Sequence, residues 1–455
     1  MSRSLVRSTP ASRADRNRNL KAHLKAAGAV TVGTLTRGVP GSLVGEWFLH
    51  DQRASTVALI LTFGATLLVV VLVSGFAART VLSTALLFLV AGAVTGDGGL
   101  NWIDIEPHDP VVVTLADLAL FSVLYTDGMR AALPELKATG RTAGRALGLG
   151  MPLTFVGIAL LTKACTPLNW TASFLVGAIL SPTDPVFASA IIGRSDVPVR
   201  LRRLLNVESG LNDGLALPVV VVLIAVASHG QTHIWTVVGE LAGGIALGIA
   251  MPLVAYLLTR LPGAGSEARL APLGAFSVAV ILYATCHLTH ANAYLGAFAA
   301  GSTLATIAPT AHQAFEEFGD LIAELLKLAA LLVFGALLTP ELLHRVPIGA
   351  WAVAVLALVL VRPTALVISL WRAKLSRREV AAVAWFGPKG FASVVYGLLA
   401  LDAGIDVSQP VFDLVAVCIA LSIAVHSSTD VPVARMFDVP EALNAPDAPE
   451  PTRLE

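Results

Sequence analysis

Long apolar runs recur along the chain, separated by short segments rich in charge, proline or glycine. A spanning helix needs about 20 mostly apolar residues. Runs that meet or approach this length lie at 56–76, 81–96, 111–129, 142–162, 171–192, 204–227, 234–259, 272–289, 291–308, 319–339, 346–371, 379–401 and 410–427. The pattern predicts an all-α polytopic membrane protein of about thirteen transmembrane helices. The two spans within 272–308 are nearly continuous in sequence.

Loop charge tests this layout. Basic residues concentrate in the loops of one side. One alternating set of loops and the tail holds Arg79, Arg130, Lys137, Arg141, Arg145, Arg194, Arg200, Arg202, Arg203, Arg260, Arg269, Arg372, Lys374, Arg377, Arg378, Arg435 and Arg453. The opposite set holds only Lys163 and Arg345. The first set is expected to face the cytoplasm, with the C-terminus inside and the protein in the cell (inner) membrane. An odd number of spans then puts the basic N-terminus on the other side, unless a segment near 39–50 re-enters. Three regions are expected: a basic arm over 1–55, disordered or on the membrane surface, a transmembrane domain over 56–430, and a short cytoplasmic tail over 431–455.

Composition agrees. Of 455 residues 55% are hydrophobic and 14% charged, and mean hydropathy is +0.76. A soluble domain carries about a quarter charged residues. Net charge is +0, which gives no reason to expect a nucleic-acid partner. Cys165, Cys286 and Cys418 are scattered and read as buried small side chains, with no metal-ligand spacing.

Ionisable residues within spans are therefore few, and each is a candidate for function. The bases are Lys327, Arg362 and Lys389; the acids are Asp117, Asp127, Asp184, Glu208, Asp213, Glu240, Glu324 and Asp413. In the fifth span, Pro182 and Pro185 bracket Thr183 and Asp184. Two prolines so close are expected to unwind the helix. Unwound backbone at membrane depth belongs where it lines a cavity or packs in protein. In the sixth span, Ser209 and Asp213 are four apart and share a helix face, with Asn212 alongside. That face offers oxygen ligands for a hard cation. Glu208 lies off it and is the expected partner of Arg362 in the eleventh span.

The twelfth span is broken by Gly387, Pro388 and Gly390, with Lys389 at the break. It lies seven spans after the other interrupted one, and an odd offset reverses direction through the membrane. This is the pattern of an inverted-topology repeat, spans 1–6 matching 8–13, with a midplane site at the breaks. Glu324 and Lys327, three apart, are expected to pair within one helix. Asp127, near Arg130, either approaches the ion or marks the interface. His287, His290 and His426 read as packing or helix-end residues.

SPTDP followed by ESGLNDG, with NAYLGAFAAG, VRP, FGPKG and HSSTDVPVARMF further on, resembles the sodium/proton exchanger branch of the monovalent cation:proton antiporter superfamily. The resemblance covers roughly 55–437. It implies a homodimer in which a core bundle with two crossing broken helices moves against a dimerisation domain. It implies that Asp213 binds cation or proton, with Ser209 and the Thr183 carbonyl as further ligands. Asp184 and Lys389 then balance half-helix charges, and Glu208 and Arg362 form a structural ion pair. Two positions depart from the family pattern. Lys389 stands where arginine is frequent, and Thr126-Asp127 stands where the third span often has glutamate two residues before its glycine.

The expected function is exchange of Na+ or K+ for H+ by alternating access, with no cofactor. Its partners are the monovalent cation, the proton and the lipid bilayer. The alternatives are a cation channel and a cation-coupled transporter of another substrate. A channel needs a continuous filter or charged ring. An enzyme is not expected, because no nucleophile with a positioned base appears in the spans.

Overall fold

The computed structural model describes residues 41–77, 83–131, 142–184, 199–228, 234–262, 270–373 and 375–434. Most of the basic arm, several basic loops, the second half of the fifth span from Pro185 and the tail from Arg435 lie outside them. Every described element is helical. They are α1 Gly41–Ala77, α2 Thr84–Thr95, α3 Pro110–Arg130, α4 Thr142–Cys165, α5 Trp170–Ile179, α6 Val199–Ala227 and α7 Ile234–Leu258. Next come α8 Ala271–Thr289, α9 Ala293–Ile307, α10 Pro309–Leu337, α11 Ile348–Ser369, α12a Arg377–Trp385, α12b Phe391–Asp402 and α13 Ser408–Ala434. A six-residue helix, Pro340–Arg345, precedes α11.

Eight of these helices are long and apolar enough to cross a membrane. The helices α2, α5, α9 and α12b are apolar but shorter. α1 begins at Gly41, ahead of the arm boundary expected at residue 55.

Local chemistry sets the ends. Asn169 opens α5 by accepting from the Ala172 N–H at 2.8 Å, and Asn292 opens α9 by accepting from Leu295 N–H at 2.8 Å. Each side chain satisfies a donor that the first helical turn leaves free. His290 divides the nearly continuous 272–308 stretch. It sits in the left-handed region at φ 56° and ends α8, with the Ala291 N–H closing on the Cys286 carbonyl at 3.0 Å.

The helices of residues 58–434 pack as two groups. One joins α2, α3, α7, α8, α9 and α10; the other joins α4, α5, α6, α11, α12 and α13, with α6 also packed against α3, α7 and α9 of the first. The grouping treats the two halves of the chain alike: α2 and α3 fall with α9 and α10, and α4–α6 with α11–α13. A further correspondence appears in α4 and α11. Each contains a widened π-helical segment, Ala146–Gly150 and Ala357–Val361. Each is followed two residues on by proline, Pro152 and Pro363. Proline removes one backbone donor, and a widened turn accommodates that loss.

Within the first group, glycines let backbones meet. A Cβ on Gly301 of α9 would overlap the Tyr125 carbonyl oxygen of α3, and one on Gly128 would overlap the Phe298 carbonyl. Small residues serve this purpose between helices that apolar burial alone does not hold together in lipid. Gly274 in α8 has nothing within 4 Å of the same position. Gly301→Ala should therefore lower the melting temperature in detergent, at a cost of about 1–3 kcal/mol. Gly274→Ala should not, and equal melting of the two variants would contradict this packing.

Candidate ion-binding site

The site forms where the end of α5, the middle of α6 and the interruption between α12a and α12b meet. The helix α5 ends at Ile179, and residues 181–184 are not helical. Residues 386–390 separate α12a from α12b. The two irregular stretches satisfy each other. The Asp184 N–H donates to the Pro388 carbonyl at 3.0 Å. The Asp184 carboxylate accepts from the Phe391 N–H, in the first turn of α12b, at 3.2 Å. In the other direction, Lys389 Nζ reaches the carbonyls of Ser181 and Pro182 at 3.5 and 3.4 Å. Ser393 Oγ donates to the Ile179 carbonyl at 2.7 Å.

An anion thus sits at the positive end of α12b and a cation at the negative end of α5, the placement helix dipoles favour. Gly390 is required by the close approach, since a Cβ there would overlap the Asp184 side chain. Lys389 is completely buried, and its backbone N–H donates to Ser422 Oγ of α13 at 2.7 Å.

The second carboxylate oxygen of Asp184 faces Lys327 Nζ of α10 at 3.4 Å. Lys327 therefore pairs across helices and not with Glu324, whose side chain is exposed. The i, i+3 spacing made that pair available, but Lys327 points into the interior, where Asp184 is the unscreened charge.

Thr183, Ser209 and Asn212 form a buried polar cluster. Asn212 Nδ2 donates to Thr183 Oγ1 at 2.7 Å, and the Thr183 and Ser209 hydroxyls are 3.5 Å apart. Among the described residues, Asn212 Oδ1 has no hydrogen-bond partner. Asp213 follows on the same helix, 5% exposed, with its backbone carbonyl accepting from Tyr396 Oη of α12b at 2.8 Å. Among the buried carboxylates of the described residues, only that of Asp213 accepts no hydrogen bond and joins no ion pair. It lies about 20 Å from either end of α6, at 1.5 Å per residue.

The other buried acids are all engaged. Glu208 Oε1 accepts from Arg362 Nη2 at 2.9 Å, and the same nitrogen donates to the Phe386 carbonyl at 3.2 Å. Asp127 Oδ1 pairs with Arg130 at 3.0 Å. Asp413 takes a two-pronged pair from Arg345 at 2.7 and 2.9 Å. Glu379 takes another from Arg200, 2.6 Å for each contact, and completes the capping box that Ser376 opens at α12a.

Sequence reasoning passed over the last two pairs, although Ser376-x-x-Glu379 carries the capping-box spacing. It also passed over Tyr396, for which the sequence offers no signal. His426 is buried beneath the break, with Nε2 at 3.1 Å from the Trp385 carbonyl and Nδ1 at 2.8 Å from the Ser422 carbonyl. His290 is the helix-end residue already described. His287 is half-exposed, 3.6 Å from Asp117.

A multi-pass helical protein with charges of both signs where one helix ends and another is broken, and with one unengaged buried acid among the described residues, belongs to the class of membrane ion transporters. Comparison with known proteins makes this specific. The model of the family described as "Sodium/hydrogen exchanger, transmembrane" matches residues 26–436, and the chain belongs to that family, within the monovalent cation:proton antiporter superfamily. The K(+)/H(+) antiporter NhaP of Alkalimonas amylolytica is 24% identical over 402 residues, covering 86% of this chain and 69% of that protein. The K(+)/H(+) antiporter NhaP2 of Shewanella baltica is 25% identical over 399 residues, covering 85% and 68%. The solved structure of the sodium proton antiporter MjNhaP1 from Methanocaldococcus jannaschii superposes with a TM-score of 0.70 at 17% identity, covering 85% of this chain and 99% of that one. The fold is shared, and the family is one of transmembrane cation/proton antiporters, not of enzymes.

The Glu208–Arg362 pair makes a direct prediction. Losing one partner of a buried pair costs about 3–5 kcal/mol. Arg362→Ala should lower the melting temperature in detergent well below that of Asp213→Asn, which removes no hydrogen bond from the carboxylate. Melting of Arg362→Ala at the parent temperature would refute the assignment of this pair as scaffold.

Proposed function

We propose that the protein exchanges one monovalent cation, Na+ or K+, for one proton in the cell (inner) membrane, and that Asp213 is the carboxylate both ions share. The observation that carries this reading is that Asp213 lies deep in α6 and that no hydrogen bond or ion pair among the described residues engages its carboxylate. Asn212 Oδ1, the Ser209 and Thr183 hydroxyls and the Thr183 carbonyl complete an oxygen set suited to a hard monovalent cation. Asp184 and Lys389 hold the half-helix ends in place. Glu208 and Arg362 are scaffold. Asp127 is a further acid of the site, reached from α3.

Thirteen crossings in an inverted repeat, with the fifth and twelfth spans broken and crossing, are supported by the equal treatment of the two halves in the packing and by the matched π segments of α4 and α11. In this reading the group containing α4–α6 and α11–α13 carries Asp213 between the two faces. The other group supplies the dimer contact, and the C-terminus lies in the cytoplasm.

Alternating access follows from one titratable carboxylate. A proton and a cation cannot occupy it together, so each displaces the other. Asp213→Asn should abolish cation-dependent proton flux in proteoliposomes while the protein remains folded in the membrane. Substantial flux in that variant would remove Asp213 from its role. A channel of the same fold would instead pass cations without a pH gradient and without saturation.

Stoichiometry is the second consequence. Asn212 precedes Asp213, so only one of these adjacent positions titrates. Glu208 and Asp184 keep their cationic partners throughout the cycle. The carrier then crosses with the same charge whether loaded with proton or cation, and membrane potential does no net work on it. Each net charge moved would be worth about 2.3 kcal/mol per 100 mV. For a fixed pH gradient, the cation gradient at zero net flux should be the same at zero and at large negative potential. A shift of that reversal point with voltage would show electrogenic exchange.

A further inference from the structure

The basic-loop side of the site carries a charge arrangement that none of these roles uses. Arg130 closes α3 with its guanidinium divided between two acids. Nη1 donates to Asp127 Oδ1 at 3.0 Å, and Nη2 donates to Asp320 Oδ1 of α10 at 2.8 Å. The two acids differ in setting. The Asp127 side chain is 5% exposed and that of Asp320 42%. Arg130 itself is 43% exposed, so it reaches from the surface inward.

The order along the helices fixes where this happens. α3 ends at Arg130 on the basic-loop side, and α6 begins there at Val199. Asp127 packs against Gly210 of α6, with Oδ1 3.7 Å from where a Cβ on that glycine would lie. Gly210 is next to Ser209 and about one helical turn nearer the basic-loop end than Asp213. Asp127 is also close enough to Asp213, Asp184 and Lys327 for their charges to interact. From the basic-loop face inward the order is Asp320 and Arg130, then Asp127 at the level of Ser209 and Gly210, then Asp213.

We propose that Arg130 is a built-in competitor for the substrate cation at this mouth. Its guanidinium holds Asp127 until an entering monovalent cation displaces it, and Asp320 is the seat that keeps it nearby while displaced. Guanidinium remains charged at every working pH, so Arg130 itself competes as a fixed cation and carries no proton on or off. The exposed Arg130–Asp320 contact is screened by solvent, whereas the contact with Asp127 is not. Moving the guanidinium outward keeps its contact with Asp320 and leaves Asp127 to the cation, whose charge replaces that of Arg130 there. Arg130 is a positioning residue, and it sets the apparent affinity on one face only.

This rests on the antiport reading and is tested by side-resolved kinetics. Everted membrane vesicles present the basic-loop face outward, and right-side-out vesicles present the other. With K+ and Na+ in turn, the KM for cation is read from dequenching of a pH dye. In everted vesicles Arg130→Gln should lower KM about tenfold, the worth of one charge-assisted hydrogen bond. Asp320→Asn should raise it, because the guanidinium is left to Asp127 alone. Arg130→Lys should restore most of the wild-type KM. In right-side-out vesicles all three should match wild type.

A merely structural role would change KM on both faces or lower turnover without moving KM. The proposal is overturned if Arg130→Gln and Asp320→Asn shift KM in the same direction, or if neither shifts it. Should Arg130→Gln fail to reach the membrane, Asp320→Asn decides alone, and an unchanged or lowered KM overturns the idea. Absence of exchange by wild-type protein would instead count against the antiport reading itself.

Discussion

The site depends on the mutual satisfaction of the non-helical residues after α5 and those between α12a and α12b. Backbone that leaves the helix within a membrane has no water to bond to, and each unmet polar group there is costly. Here the break after α5 and the break before α12b supply each other's partners. Asp184 gives its N–H to Pro388 and its carboxylate to the first turn of α12b. Ser393 gives its hydroxyl hydrogen to the Ile179 carbonyl that ends α5, and Lys389 reaches the carbonyls of Ser181 and Pro182 just beyond it. The two segments share these partners and so form one unit. Packing then brings the middle of α6 against that unit.

Charge is distributed so that a single acid is left over. Lys327 engages Asp184, Arg362 engages Glu208, Arg130 engages Asp127, and Lys389 lies on helix-end carbonyls. Among the described residues, Asp213 stands unpaired. An unpaired charge in such a place is expensive. On the antiport reading proposed above, a carboxylate that takes and releases two different ions has to lack a permanent partner.

Much of this was legible in the sequence because the physics is local. Apolar run lengths placed the helices, Pro182 marked where α5 stops, and Pro388 with its flanking glycines marked the gap between α12a and α12b. The spacing of Ser209 and Asp213 put two oxygen groups on one face, and the scarcity of buried charge singled out Arg362 and its partner Glu208. What the sequence did not reveal depends on distance across the fold. Lys327 has Glu324 one turn away, yet it joins Asp184, 143 residues earlier. Tyr396 on the Asp213 carbonyl, Arg200 on Glu379 and Arg345 on Asp413 likewise join distant segments. The role of Asp127 was open for the same reason, because Asp320 completes its setting from another helix.

The central claim is that cation and proton compete for one carboxylate. It is tested most directly by counting protons released when cation binds. Purified protein in detergent and weak buffer, below the pH at which the site empties of protons, should acidify the solution when K+ or Na+ is added. The release should saturate at about one proton per chain, as required when a cation binds only the deprotonated ligand. It should be absent in Asp213→Asn. Saturable cation binding with no proton release, or release undiminished in that variant, would contradict the account.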